Sequence, residues 1–292
     1  MKILITGING LLGKDIGFCL GLNSGNTLYG IGRTFECRVP NIKYTRLDIS
    51  YLNNLEEYLR NLQPDVIVHC AAVSKIESCE ANHEYAKLVN VDATRLLAQH
   101  NCRMIYISSD AVFDGLLGNY SEEDTVSPIS FYGQTKYMGE EETLKNNVNS
   151  VILRTSMYGY NINTNVSLAQ WAANNIKGNT EFKGFNDVIT NPMYTKQIAE
   201  VISHLLTHDF TGILNLGCNE QVSRYDFFCM LARKMCGNKD IICSVSVDSM
   251  NFKVPRTKNT VLSVSKLKNT LDLNFSIEDG LDNFFLDYLK WI

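Results

Sequence analysis

The sequence has no surplus of positive charge: 27 lysines and arginines face 31 aspartates and glutamates, for a formal net charge of −4. The cations are scattered and not blocked together, so no basic footprint exists to neutralise a phosphate backbone, and nucleic acid is not an expected partner. No C-x-x-C pair occurs among the nine cysteines. Their number is odd, and Cys19, Cys70, Cys229 and Cys243 sit in apolar runs, where a reduced thiol behaves as a small hydrophobe. A reducing compartment follows as the expectation. Long apolar runs are also lacking. Met1 to Leu12 has neither a charged opening stretch nor a small-residue cleavage site, and Lys14 and Asp15 interrupt it far short of a membrane span. A cytoplasmic protein with no membrane partner is therefore expected. Internal repeats and low-complexity linkers are missing too, so any second domain is expected to be interleaved with the first.

What is present is a globular composition, 292 residues at 45% hydrophobic, enough for one large or two modest domains. Up to about residue 155, short β-rich runs alternate with helical patterns, which predicts βαβ units and a parallel sheet. The runs are Lys2–Thr6, Thr27–Ile31, Val66–Cys70, Met104–Ser108 and Val151–Arg154. Each is nearly continuous in apolar residues, as expected of strands covered on both faces. Between them, Ser50 is placed to cap a helix over Tyr51–Leu62, and the spacing of Tyr85, Leu88, Val89, Leu96 and Leu97 predicts one helix over Asn82–His100. Beyond 155 the Asn-rich stretches Tyr160–Val166 and Asn174–Thr180 read as loops. A further strand is expected at Ile213–Leu216, then a helix capped by Ser223 and running to about Cys236, and a final helix from Ser276. The predicted architecture is an α/β doubly wound parallel sheet over 1–155, with a returning segment near 189–217, and a smaller interleaved substrate domain over most of 156–292.

The first strand runs directly into Gly7-Ile8-Asn9-Gly10-Leu11-Leu12-Gly13 and then a helical pattern. Strand, glycine turn and helix in this order let backbone N–H groups approach a pyrophosphate at the positive helix end. The G-x-x-G-x-x-G spacing also describes a tight turn with no ligand. At the end of the second run stands Gly30-Ile31-Gly32-Arg33, with no acid to bond a ribose hydroxyl. Arg33 is placed to pair with a 2′-phosphate, which favours NADP(H) over NAD(H), although a solvated loop cation is the plain alternative.

Tyr132 and Lys136 are four residues apart in Tyr132-Gly133-Gln134-Thr135-Lys136, hence on one helix face. A phenol with a neighbouring cation can exchange a proton with a carbonyl or alcohol, and the cation is expected to draw the phenol's pKa down. Alone, this spacing also fits an ordinary surface pair. Upstream, the Met104–Ser108 run ends in Ser108-Ser109-Asp110, at the strand edge where ligands of such sheets bind. A Ser109 hydroxyl there, with Tyr132, would give one substrate oxygen two hydrogen-bond donors.

The ordered set of glycine loop, Ser109, Tyr132 and Lys136 resembles the extended short-chain dehydrogenase/reductases. The block Ile107-Ser108-Ser109-Asp110-Ala111-Val112-Phe113-Asp114-Gly115, then Tyr120-Ser121-Glu122-Glu123-Asp124, Pro128, Tyr132 to Lys136 and Gly139-Glu140, resembles the dTDP-4-dehydrorhamnose reductases and their close relatives. That resemblance implies a Rossmann fold, NADP(H) or NAD(H), and reduction of the 4-keto group of a nucleotide-activated 6-deoxysugar in deoxysugar or polysaccharide biosynthesis. It implies catalysis by Ser109, Tyr132 and Lys136, and cofactor contacts from Gly7, Asn9, Gly10, Leu11, Leu12, Gly13, Arg33, Asp48, Ile49, Ala71, Ala72, Asn90, Tyr132 and Lys136. On the substrate side it implies Val73, Ser109, Asp110, Met157 and Arg256.

The chain departs from the pattern at two places. Arg154-Thr155-Ser156-Met157 carries Met where the family has Trp, and Pro255-Arg256 reverses the family's Arg-Pro order. Dehydratases of this group carry Asp-Glu where Asp110-Ala111 stands, and epimerase-reductases carry a cysteine beside the serine, where Ser108–Gly115 has none. A nucleotide-sugar epimerase or other extended short-chain dehydrogenase, and a noncatalytic dinucleotide-binding regulatory subunit, remain the alternatives. His204 and His208 have metal-compatible spacing but no third ligand, so no metal is expected. The aromatic tail Phe284, Phe285, Tyr288 and Trp291 is assigned to core or homodimer packing.

Overall fold

The computed structural model of the chain describes residues 1–22, 25–162 and 166–291, the side chain of Trp291 apart. Part of the loop expected at Tyr160–Val166, and the Trp291 ring of the aromatic tail, lie outside the described residues.

The central sheet contains β1 (Lys2–Thr6), β2 (Thr27–Gly32), β3 (Ile42–Arg46), β4 (Val66–His69), β5 (Arg103–Ile107), β6 (Ser150–Thr155) and the strand Gly212–Leu216. All seven are parallel, in the order Gly212–Leu216, β6, β5, β4, β1, β2, β3. β1 pairs with β2 on one side (Ile3 opposite Leu28) and with β4 on the other (Ile3 opposite Val66), so the strand order reverses beside β1. A crevice opens at such a reversal, beyond the carboxyl ends of the strands.

The near-continuous apolar runs have a direct explanation, because successive residues feed two separate cores. Ile3, Ile5, Val68, Ile105 and Leu153 belong to one, while Leu4, Ile67, Met104, Tyr106 and Ile152 belong to the other. This is the doubly wound α/β sheet that the sequence predicts. No helix among the described residues is long and apolar enough to cross a membrane.

Several local expectations are corrected. β3 is an edge strand with no fully buried residue, so it carries no continuous apolar run to mark it. Ser50 does not cap the next helix, α2 (Leu52–Leu62). Its backbone N–H instead donates to Asp48 Oδ1 at 3.0 Å, and Tyr51 holds the capping position with no side-chain bond. The single helix expected over Asn82–His100 is broken into His83–Lys87, a π-helical turn at Leu88–Asp92, and Ala93–Ala98. Asn174 is not in a loop but in the helix Leu168–Lys177, which Ser167 and Gln170 close with a capping box.

Beyond β6, short two-stranded ladders pair Met157–Tyr158 with Met193–Tyr194, Ile189–Thr190 with Val222–Ser223, and Phe182–Phe185 with Ile242–Val245. Ser223 caps the helix Arg224–Lys234 through Asp226 N at 3.0 Å. In the final helix, Ile277–Trp291, Phe284 and Tyr288 are buried within the chain itself. The helix Thr195–Leu205 packs on α1 (Gly13–Leu20), with Thr195 donating to the buried Asp15 carboxylate.

Candidate active site

The loop after β1 is shaped by two glycines. Gly7 has φ +68°, and a Cβ there would stand 2.9 Å from Ala71 N; a Cβ on Gly13 would stand 2.3 Å from the Gly7 carbonyl oxygen. Neither position admits a side chain, so the chain turns tightly from strand to helix with its backbone bare. Thr6 Oγ1 accepts from Ala71 N at 3.1 Å, fixing the β4 exit against this loop. Asn9 Nδ2 donates to the Glu36 carbonyl at 3.0 Å and ties the loop to the segment after β2.

The loop forms one wall of a cleft of about 590 Å³ at the sheet's reversal point. Gly7, Asn9, Gly10, Leu11, Leu12, Gly13, Arg33, Asp48, Ile49, Ala71 and Ala72 line it, as do Val73, Ser109, Asp110, Tyr132, Lys136 and Met157. Arg33 is exposed at the rim, its guanidinium 3.4 Å from the Tyr85 hydroxyl.

Two expected residues lie elsewhere. Asn90 is buried and does not line the cleft. Its Oδ1 accepts from Val73 N at 2.8 Å, and its Nδ2 donates to Val73 O at 3.0 Å and to Thr135 Oγ1 at 2.9 Å. It thus clamps the β4 exit to the helix that carries Tyr132, from within the π-helical turn, and both of its amide hydrogens are engaged there. Arg256 is not on the cleft wall either, because its guanidinium is drawn to Glu77 and lies 4.7 Å from the centre of the Phe252 ring.

Tyr132 and Lys136 belong to the helix Phe131–Asn146, which Ser130 caps by accepting from Gly133 N at 3.2 Å. One helical turn separates them, and both face the cleft. Their electrostatics differ from the sequence-based expectation. Burial pushes the Tyr132 phenol up to about 12, with the facing Ser109 hydroxyl pulling the other way. Burial also pushes the Lys136 ammonium down, to about 7, with Glu140 opposing. Near neutrality, then, this lysine is only partly charged and does not draw the phenol down. Removal from water outweighs the neighbour in both cases.

Ser109 Oγ accepts from Ala111 N at 3.1 Å and donates to Asp110 Oδ1 at 3.0 Å. Asp110 Oδ2 accepts from Thr260 Oγ1 at 2.6 Å, and burial raises the pKa of this carboxyl. Thr260 was not visible in sequence, since the pair is 150 residues apart. Arg224, also absent from the sequence-based set, lines a smaller cavity that shares Ser156 and Met157 with the main cleft.

Residues 1–288 match the family model described as the RmlD substrate binding domain. The chain belongs to that family. Methionine adenosyltransferase 2 subunit beta of Bos taurus is 30% identical over 303 residues, covering 98% of this chain and 89% of the relative. A probable low-salt glycan biosynthesis reductase of Haloferax volcanii is 28% identical over 304 residues, covering 99% of each. Among solved structures, a dTDP-4-dehydrorhamnose reductase of Bacillus anthracis in complex with NADP superposes with a TM-score of 0.85 at 24% identity, covering 98% of this chain and 99% of that one. This last likeness establishes the fold. The family resemblance first visible in the Ile107–Glu140 block therefore extends along nearly the whole RmlD-family chain.

Proposed function

We propose that this chain is an NADP(H)-dependent reductase that converts the 4-keto group of a nucleotide-activated 6-deoxyhexose to an alcohol, in deoxysugar or polysaccharide biosynthesis. The observation that carries this reading is the meeting of Ser109, Tyr132 and Lys136 in one cleft with the glycine loop. The dinucleotide fits that loop, because the bare backbone at Gly7 and Gly13 leaves the approach that a Cβ would fill. Gly10 to Gly13 would hold the pyrophosphate at the start of α1, and Arg33 a 2′-phosphate. NAD(H) is the less favoured cofactor, since β2 ends in Gly32-Arg33 with no acid at that point.

When bound, the nicotinamide cofactor supplies a hydride to the carbonyl carbon. The chain's residues supply the proton and the orientation. A phenol pushed up to about 12 keeps its proton throughout the physiological range, which suits Tyr132 to donate to the carbonyl oxygen as negative charge develops there. Ser109 would turn its hydroxyl from Asp110 to the same oxygen, giving two donors to the forming alkoxide. Lys136 would orient the nicotinamide ribose and, once bonded to its hydroxyls, hold its own charge near Tyr132.

The test is NADPH oxidation, followed by absorbance, with dTDP-, UDP-, GDP- and CDP-linked 4-keto-6-deoxyhexoses. Oxidation with one or more of them is expected; no oxidation with any overturns the proposal. A second reading, a regulatory subunit, is favoured by the Bos taurus relative at 30% identity. NADPH binding without oxidation of any of these sugars would support it.

A further inference from the structure

The cleft continues past Ser156 and Met157 into a second cavity of about 60 Å³, walled by Tyr158, Thr190, Pro192, Arg224 and Phe227. Arg224 is the first residue of its helix. Its backbone N–H donates to the Val188 carbonyl at 2.9 Å, so its position is fixed by the ladder between Ile189–Thr190 and Val222–Ser223. The guanidinium is half-buried.

Among the described residues, that guanidinium has no hydrogen bond and no ion pair. Other buried or half-buried arginines are engaged: Arg154 with Glu140, Arg103 with the His208 and Phe210 carbonyls, and Arg256 with Glu77. Asp110 attracts Arg224 through space but is not hydrogen-bonded to it; its carboxylate accepts from Ser109 and Thr260. Arg256 adds repulsion, and Phe227, Val222 and Leu168 surround the cavity with apolar surface. A half-buried cation whose five donors meet no protein acceptor is placed to receive an anion that enters the cavity. The planar fork of a guanidinium matches the oxygens of a carboxylate or a phosphoryl group.

We propose that Arg224 is a specificity-determining residue that holds one anionic group of the substrate at the sugar end of the cleft. The inference rests on the nucleotide-sugar reading above and adds to it the charge of the group bound there. At roughly 15 Å³ per water-sized group, the cavity admits one such group and not a whole diphosphate. Two sources share this chemistry: the sugar-side phosphoryl of the nucleotide diphosphate, and a carboxylate carried on the sugar ring.

The test is calorimetric titration of NADP⁺-saturated protein with dTDP-glucose, UDP-glucose and UDP-glucuronate, using wild type, Arg224→Met and Arg224→Lys. Loss of a charge-assisted fork is expected to weaken binding about 10- to 100-fold in Arg224→Met, with partial recovery in Arg224→Lys and unchanged NADP⁺ affinity. If the phosphoryl is the group held, all three ligands weaken alike; if a carboxylate, only UDP-glucuronate does. Binding by Arg224→Met equal to wild type for every ligand overturns this inference and leaves the reductase reading intact. A wild-type protein that binds none of the three also overturns this inference, while the reductase reading is decided separately by NADPH oxidation with the keto-sugars. Should Arg224→Met fold poorly, Arg224→Lys carries the test alone, and wild-type affinity for every ligand in that variant counts against the fork geometry proposed here.

Discussion

The Lys136 ammonium lies 4.1 Å from the centre of the Tyr106 ring, and the Tyr106 hydroxyl donates to the Lys136 carbonyl at 3.4 Å. β5 and the Phe131–Asn146 helix are thereby locked together beneath the cleft. The same enclosure removes the ammonium from water and sets its charge near the edge of neutrality.

A pH dependence of stability follows. The folded value of Lys136, about 7, lies below its ordinary 10.5. Between these values the unfolded chain binds the extra proton, so stability rises with pH across that window, and below about 7 the full penalty is present. Urea unfolding of the cofactor-free protein should show wild type gaining on the order of 2 kcal/mol relative to Lys136→Met between pH 7 and 9.5. Parallel pH profiles would contradict it.

His69 gives the opposite end of the scale. Its Nδ1 lies 2.7 Å from Thr6 Oγ1 and its Nε2 lies 3.0 Å from Thr94 Oγ1, whose own proton goes to the Asn90 carbonyl at 2.8 Å. The network therefore assigns the proton to Nε2 and a neutral ring. Burial, with the Lys136 charge adding to it, lowers the pKa from 6.5 to about 3. Below 6.5 the unfolded chain takes up a proton that the folded chain refuses, so stability falls as pH drops from 6.5 toward 3. His69→Gln should flatten that fall by about 1–2 kcal/mol between pH 6.5 and 5 in urea unfolding. An unchanged slope would show that His69 does not govern it.

Glu140 holds the far side of the Phe131–Asn146 helix. It accepts from Arg154 Nε at 3.0 Å and from Arg154 Nη2 at 2.7 Å, with Ser108 Oγ donating to it as well. Both charged side chains are almost completely enclosed. Glu140→Ala would leave the Arg154 cation buried and unpaired, an expected loss of about 3–5 kcal/mol. The double variant Glu140→Leu with Arg154→Met should lose less than Glu140→Ala alone. Equilibrium unfolding measures both, and a double variant less stable than Glu140→Ala would contradict the prediction.

Arg33 is predicted to select the cofactor. Arg33→Ala should weaken NADPH binding roughly 10-fold or more through loss of a charge-assisted bond to phosphate, while NADH binding stays within about 3-fold. Fluorescence titration of both nucleotides checks this; an equal loss for both would remove Arg33 from the 2′-phosphate.

The parts legible in sequence were those written locally. The β1 run followed by Gly7, Gly10 and Gly13 states its own geometry, because the turn and the helix are contiguous. Tyr132 and Lys136 are joined by helix periodicity alone. β3 was illegible because an edge strand with exposed Lys43 and Arg46 has no apolar run. Asn90 was legible as a polar residue on a helix, but its bonds to Val73 and Thr135 depend on the π-helical turn and on packing across three elements. The pairing of Thr260 with Asp110, and the free guanidinium of Arg224, arise only when distant segments meet. Burial, which sequence cannot quantify, reversed the expected shift at Tyr132.

The most direct measurement is transfer of deuteride from NADPH labelled at the reactive C4 position of the nicotinamide, followed by mass spectrometry of the sugar nucleotide and repeated with Tyr132→Phe. Wild type should deliver one deuterium to the sugar's C4, and Tyr132→Phe should slow that transfer by about 10²- to 10⁴-fold with NADPH affinity little changed. Product that carries no deuterium, or a Tyr132→Phe enzyme as fast as wild type, would contradict the account.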